Sequence, residues 1–130
     1  MHDCQAPLHP EARHGLELIR RGEYFEAHEA LENAWRDEPG PVRNLYRGIL
    51  QVAVSYLHIT RGNYPGAVEM HRRAQRWLNG WPDTCRGIEV ATLRRDFDAA
   101  MAALTALGPE NIRQFDRRLL KPVRWHDPQP

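Results

Sequence analysis

One segment of this 130-residue chain, residues 24–35, concentrates side chains that could do chemistry. His28 and Glu32 stand four residues apart, so a helix would place them one turn from each other on one face. A His and a carboxylate at this spacing can share a metal ion, tune each other's pKa or form a hydrogen bond. Glu29 lies further round such a helix, and Glu26 faces most nearly away from the core. His28 falls within the apolar stripe of such a helix, beside Trp35, and Glu32 lies at the edge of that stripe. We therefore expect both side chains to be at least partly buried.

A second segment carries a polar stripe on an otherwise apolar helix. The stripe consists of Arg47, Gln51, Ser55 and His58. A solvated helix face is normally rich in Glu and Lys, and this stripe has neither, so we expect it to face protein or ligand. The nearest acids belong to the first segment. The sequence therefore predicts that Arg47 pairs with Glu29 or Glu32 in a polar cluster between the two helices.

The distribution of charge agrees with that pairing. Residues 1–38 carry a net charge of −5 and residues 39–82 a net charge of +5, although the whole chain carries only +1. The simplest account is an acidic helix packed beside a basic one. Nucleic-acid binding needs a clearly basic total, and a pI near 7.9 gives it little support. We expect a peptide, a protein or a small anionic ligand as partner, and no nucleic acid.

An internal repeat organises the helices. Residues 21–29 align with residues 61–69 at an offset of 40, and both copies read Gly-x-Tyr-x-x-Ala. Each copy has a further Ala seven positions later, at Ala34 and Ala74. The pattern is similar to the turn and second helix of a tetratricopeptide repeat, whose usual spacing is 34 residues. The sequence therefore predicts two tetratricopeptide-like helical hairpins, and the longer spacing argues against a superhelical array.

The apolar periodicity and the turn residues predict an all-α fold, a small helical bundle without strands. Helices are expected at about residues 10–21, 24–37, 42–61, 65–78 and 90–107. The third has the widest apolar arc and should be the most buried. A single domain over residues 1–108 would then contain hairpins at about 10–38 and 42–79, followed by the fifth helix. One short helix and a loosely held Pro-rich tail are expected over residues 109–130.

Other features of the sequence narrow the class of protein. Cys4 and Cys85 fall in a terminus and a turn, which favours two free thiols over a disulfide or a Cys metal cage. No window approaches the ~18 to 20 apolar residues of a membrane span. The first residues lack the basic and apolar run of a signal peptide. A cytoplasmic protein without a cofactor or a membrane partner is therefore the expectation.

Three motifs resemble a known family of small prokaryotic helical proteins, the domain of unknown function three-zero-nine. The motifs are Gly22-x-Tyr24-Phe25-Glu26-x-His28-Glu29-x-Leu31-Glu32-x-x-Trp35, then Gly48-Ile49-Leu50-Gln51-x-Ala53, then His58-x-x-Arg61-Gly62-Asn63-x-x-Gly66-Ala67. The resemblance covers about residues 16–78 and implies a helical fold without an accepted activity. It also implies candidate site residues: Glu26, His28, Glu29, Glu32, Trp35, Gln51 and His58.

Three functions remain open at this point. The first is a module that binds a peptide, a partner or a small ligand in the groove between the second and third helices. The second is a purely structural polar cluster that specifies helix register. The third is a metal-dependent enzyme or metal-binding protein using zinc, manganese or iron, with Arg47 fixing an anion and with the ligands His28, Glu29, Glu32 and His58. We rank the binding module first and the enzyme last. Glu11 and His14 have a di-iron spacing without the second copy that such a site needs.

Overall fold

The computed structural model of the chain describes residues 3–127 and confirms a small all-α bundle. Its five α-helices are α1 (Pro10–Arg20), α2 (Tyr24–Asp37), α3 (Arg43–Thr60), α4 (Tyr64–Leu78) and α5 (Val90–Leu107). Each α-helix begins and ends within one residue of its expected position. Consecutive helices from α1 to α4 pack against one another, and α5 packs on α4. None of the helices within residues 3–127 has the length and apolarity needed to cross a membrane.

The internal repeat corresponds to two equivalent helical hairpins. The turn between α1 and α2 contains Gly22 at φ 77°, and the turn between α3 and α4 contains Gly62 at φ 74°. Glycine adopts this left-handed conformation without the steric cost that a side chain would bring. The repeated alanines are all fully buried at the helix contacts: Ala27, Ala34, Ala67 and Ala74. The repeat thus preserves both the turn and the close packing.

Helix α3 forms the centre of the core, as its wide apolar arc predicts. Its fully buried side chains include Tyr46, Ile49, Val52, Ala53 and Tyr56. Close approach of α4 depends on Gly48, where an added Cβ would lie 2.7 Å from Cδ2 of Leu78. Because interiors are close-packed, α3 fixes the positions of the side chains on both neighbouring helices.

The segments outside the five helices are more ordered than the sequence suggests. A short antiparallel hairpin pairs β1 (Thr84–Cys85) with β2 (Ile88–Glu89), where no strand was expected. The C-terminal region forms two 3₁₀ helices, Pro109–Gln114 and Arg117–Leu119, instead of one short helix. The following chain adds an isolated bridge from Trp125 to Ile88. The expectation of a loosely held tail is therefore wrong for residues 121–127, where Val123 is buried and the N–H of His126 donates to the carbonyl of Gly87. Residues 128–130 lie outside the described residues.

The two cysteines form a disulfide, so the prediction of two free thiols is wrong. Cys4 and Cys85 are bonded, with their Cα atoms 4.4 Å apart across 81 residues of sequence. The N-terminal segment folds back over the β1–β2 turn, where the backbone N–H of Arg86 donates a 2.8 Å hydrogen bond to the carbonyl of Cys4. Proximity of two residues so far apart is a property of the tertiary fold and has no local signal in the sequence.

Candidate functional site: an arginine-tryptophan surface

Arg47 packs against tryptophan rings instead of pairing with an acid of α2. Its guanidinium carbon lies 4.5 Å from the ring centroid of Trp77 and 5.3 Å from that of Trp35. Within residues 3–127, no carboxylate approaches Arg47 to within 4 Å, so the predicted pairing with Glu29 or Glu32 is wrong. The α3 position places Arg47 between α2 and α4, and each of those helices supplies one indole.

Two further arginines extend this packing into a row across three helices. The guanidinium carbon of Arg43 lies 5.1 Å from the Trp35 centroid, and that of Arg76 lies 4.7 Å from the Trp77 centroid. Each such contact contributes about 0.5 to 1 kcal/mol when the cation is solvent-exposed. We call these five residues, Trp35, Arg43, Arg47, Arg76 and Trp77, the arginine-tryptophan surface.

A depression of about 390 Å³ borders this surface, and its rim carries more arginine. Arg72 and Arg73 both donate to the carboxylate of Glu69, at 2.5 Å and 3.0 Å. Hydrogen bonds from Arg72, and then from Arg73, lower the pKa of Glu69 to about 2. Glu69 therefore stays ionised and occupies both rim arginines at any ordinary pH.

Gln51, expected to face protein or ligand, lines the same depression. Its Oε1 atom is buried and has no hydrogen-bond partner among the described residues. Ser55, one turn further along the stripe, is fully buried, and its hydroxyl donates a 2.9 Å hydrogen bond to the carbonyl of Ala67. The polar stripe of α3 therefore divides, because Arg47 and Gln51 line the depression whereas Ser55 joins α3 to α4.

His28 and Glu32 lie together on α2, as their spacing predicts. Their Nε2 and Oε2 atoms are 3.7 Å apart, and each side chain is about a third exposed. Glu32 also accepts a 2.6 Å hydrogen bond from Arg36. These contacts keep Glu32 on its own helix, which is why it does not reach Arg47. The pair is a local contact on α2 and has no partner from α3.

Glu26 and Glu29 lie on another side of α2, toward α1. They line a shallow groove of about 380 Å³ together with Glu11 and His14. Despite this gathering of acids, the described residues contain no group of three or more His, Cys, Asp or Glu side chains placed to hold a metal ion. The groove is therefore an acidic surface between α1 and α2.

His58 lies at the other end of α3, away from the remaining candidates. The Nδ2 group of Asn63 donates to its Nδ1 atom at 3.1 Å, and Oδ1 of Asn63 accepts from the backbone N–H of Gly66. Burial, and then the positive charge of Arg61, lower the pKa of His58. A neutral imidazole at this position supports the α3–α4 turn by accepting the hydrogen bond from Asn63.

The structure contains a buried ion pair that the sequence did not predict. Arg86 is only 4% exposed, and it donates to Glu38 at 2.5 Å, to the hydroxyl of Tyr46 at 3.2 Å and to Asp3. Burial opposes ionisation of Glu38, but hydrogen bonds from Arg86 and from the N–H of Gly40 outweigh it and lower the pKa of Glu38. A lone Arg between a Cys and a Gly is the only sequence signal for this site.

The fold and the surface together define a small all-α protein with stacked helical hairpins and one basic, tryptophan-lined face. Residues 12–70 match the family described as "Domain of unknown function (DUF309)", which confirms the resemblance expected from the motifs. The match contains Trp35, Arg43 and Arg47 and ends before Arg76 and Trp77.

Two curated proteins are similar to parts of the chain, and both are uncharacterised. The protein YpuF of Bacillus subtilis is 39% identical over 64 residues, which cover 48% of this chain and 37% of YpuF. An Aquifex aeolicus protein is 23% identical over 95 residues, which cover 71% of this chain and 28% of that protein. The matched segments thus span about a third of the length of these relatives.

Proposed function

We propose that this protein is a binding module whose arginine-tryptophan surface takes a carboxylate-rich segment of a partner protein. The observation that carries the proposal is that three arginines of this surface have no acidic partner among the described residues, whereas the neighbouring arginines do. Within residues 3–127, the guanidinium groups of Arg43, Arg47 and Arg76 have no carboxylate within 4 Å, while the neighbouring Arg72 and Arg73 are paired with Glu69. A guanidinium offers a planar fork of donors that matches a carboxylate in two parallel hydrogen bonds.

The two tryptophans restrict the conformations of Arg47 before a ligand binds. Arg47 lies between two indoles, so its side chain loses less conformational freedom when a ligand binds than a free arginine would. Arginine and tryptophan are also the residue types that most often dominate the energy of protein interfaces. The helical hairpins, predicted to be similar to tetratricopeptide repeats, suit a protein that binds extended segments.

A protein partner fits the surface better than a single-stranded nucleic acid does. Nucleic-acid binding of that kind uses aromatic faces on which bases stack. Here each indole already has two guanidinium neighbours within 5.3 Å of its centroid, which leaves little face for a base. The total charge of +1 also provides little general attraction for a polyanion.

The metal-dependent alternative receives less support than the binding module. His28 contacts Glu32, Glu29 lines the groove beside α1, and His58 contacts the α3–α4 turn. Of the four proposed ligands, His28 and Glu32 thus lie together, whereas Glu29 and His58 each lie elsewhere. The contacts of His28 and His58 fit the structural alternative, in which each satisfies a local hydrogen bond.

Calorimetric titration with an acidic peptide tests the proposal. A peptide that alternates Glu and Gly is titrated into the protein, into Arg47→Gln and into the matched control Arg94→Gln, which removes an exposed charge on α5. We expect Arg47→Gln to weaken binding about tenfold, because a charge-assisted bidentate contact is lost. Arg94→Gln should change the dissociation constant less than twofold, a rough bound for an exposed charge outside the binding surface at physiological salt.

A second variant tests the same surface in the opposite direction, because it should strengthen binding of the acidic peptide. Glu69→Gln releases Arg72 and Arg73 from their internal partner, so we expect it to tighten peptide binding. Equal affinity of the parent, Arg47→Gln and Arg94→Gln would overturn the proposal. Tighter binding of a single-stranded oligonucleotide than of the peptide, lost in Arg47→Gln, would replace the protein partner with nucleic acid.

A further inference from the structure

A second cavity, of about 420 Å³, lies at the opposite end of α3 from Arg43. It opens between the last turn of α3 and the two 3₁₀ helices. Its apolar floor consists of Ile59, Ile112 and Phe115, which are 4%, 8% and 7% exposed. A pocket of this volume is within the range that holds small molecules, roughly 300 to 1,000 Å³.

The rim of this cavity carries three arginines without acidic partners. They are Arg61, Arg113 and Arg117. None has a carboxylate within 4 Å in the part of the chain that the structure describes. Arg118, the residue after Arg117, differs because it donates to both carboxylate oxygens of Asp116 at 3.0 Å. The local acid is therefore used by Arg118, and the charge of Arg117 remains free.

Arg117 is also held in place at the cavity. Its Nη2 group donates a 3.3 Å hydrogen bond to the carbonyl of Thr60 in the last turn of α3. Burial raises the pKa of the Tyr24 hydroxyl, and the positive charge of Arg117 partly opposes that rise. The cavity thus combines an apolar floor with a cation that, within residues 3–127, contacts the end of α3 and no carboxylate.

We propose that this cavity binds a small organic anion, with a carboxylate or phosphate group on the arginine rim and a short apolar portion on the floor. An oxyanion would supply the acceptors that the three guanidiniums lack. A hydrocarbon portion of a few carbons would lie against the small exposed edges of Ile59, Ile112 and Phe115. We therefore expect such a ligand to bind more tightly than a bare inorganic ion or a neutral apolar ligand, because each of those makes only one of the two contacts.

The site is independent of the arginine-tryptophan surface. Arg47 and Arg61 are separated by 14 positions along α3 and its cap, which corresponds to roughly 20 Å of helix. A ligand that bridges three rim arginines of the cavity cannot also contact the indoles at that distance. The two sites can therefore be tested separately, and either can fail alone.

The test uses four probes that separate charge from apolar character: hexyl phosphate, hexanoate, inorganic phosphate and hexanol. Each is titrated into the intact protein and followed by calorimetry and by NMR shifts of the residue 59–62 and 112–117 amides. We expect hexyl phosphate and hexanoate to bind, and inorganic phosphate and hexanol to bind at least about tenfold more weakly, since each lacks one half of the interaction.

The variant Arg113→Gln/Arg117→Gln should weaken hexyl phosphate binding at least about tenfold through loss of two charge-assisted contacts. Its matched control, Arg94→Gln/Arg124→Gln, removes two exposed charges elsewhere and should leave binding unchanged. Thermal melts of both variants establish that each is folded. Absence of binding by both organic anions, equal binding of inorganic phosphate, or unchanged affinity in the Arg113/Arg117 variant would each overturn the proposal.

Discussion

Arg86 donates a 2.5 Å hydrogen bond to Glu38 across 48 residues of sequence, and both side chains are almost completely buried. The backbone of Arg86 has φ 50°, and its N–H bonds to the carbonyl of Cys4. One residue thus connects the N-terminal segment, the end of α2 and the β1–β2 turn. Because a buried charge left without its partner is strongly destabilising, we expect the stability of that end of the molecule to depend on both members of the pair.

Removing one member of the buried pair should destabilise the protein strongly. In Arg86→Met the carboxylate of Glu38 loses its cation, and we expect the free energy of unfolding to fall by roughly 3 to 5 kcal/mol. The double variant Glu38→Leu/Arg86→Met should recover much of that loss, because no orphan charge remains. Urea unfolding measures both, with Arg94→Met as the exposed control. Equal stability of parent and Arg86→Met would contradict the pair.

The Glu38–Arg86 pair should also affect how the free energy of unfolding changes at acidic pH. The folded pKa of Glu38 is lowered, so its stabilising contribution is complete above the ordinary glutamate pKa of about 4.3 and is lost as the pH falls through the folded pKa. We expect the free energy of unfolding of the parent to fall more steeply with acidification below that value than that of Glu38→Gln. Parallel curves for the two proteins would show that Glu38 carries no such shift.

Reduction of the Cys4–Cys85 disulfide should lower stability. The bond closes a loop between positions 81 residues apart, and a native disulfide of this kind contributes about 2 to 4 kcal/mol. Chemical unfolding with and without reductant measures the difference. The variant Cys4→Ser/Cys85→Ser should match the reduced parent and should not respond to reductant. Titration of two free thiols in the untreated protein would refute the bond.

A charge placed at the contact face of α3 should unfold the domain. Ala53 is fully buried, and an unpaired glutamate there costs several kcal/mol. Ala102→Glu makes the same substitution at an exposed position of α5 and serves as the control. We expect Ala53→Glu to lose the cooperative melting transition that Ala102→Glu retains. A melting temperature of Ala53→Glu close to that of Ala102→Glu would mean that α3 is not central.

His58 should contribute to stability in a pH-dependent way. Because its folded pKa is lowered, the neutral form is favoured in the folded state, and the contribution is complete above about pH 6.5 and lost as the pH falls below it. His58→Gln should flatten this decline between about pH 7 and pH 5. His14→Gln, at an exposed histidine of α1, is the control. An unchanged slope in His58→Gln would exclude the role.

The helices could be predicted from the sequence because their signals are local. Apolar residues at three- and four-residue spacing and turns with Gly or Pro set the bounds of α1 to α5 to within a residue. The repeat predicted the equivalence of Gly22 and Gly62, which both adopt positive φ. The contact between His28 and Glu32 was equally predictable, since four residues of one helix fix its geometry.

Contacts between helices depend on how the helices pack, so only the tertiary structure determined them. The opposite charges of residues 1–38 and 39–82 suggested an ion pair for Arg47, but Glu32 is engaged by Arg36 on its own helix, and two indoles from α2 and α4 approach Arg47 instead. A charge count gives no orientation, whereas a cation over an aromatic face depends on the rotation of three helices about their axes.

The longest-range features had no local signal. The bond from Cys4 to Cys85, the pair of Arg86 with Glu38 and the arginine rim of Arg61, Arg113 and Arg117 each join segments that are distant in sequence. The sequence by itself determined which segments are helical and which faces are apolar, because periodicity acts over a few residues. Only the packed fold determined which charges meet, because meeting depends on how those helices and turns come together in three dimensions.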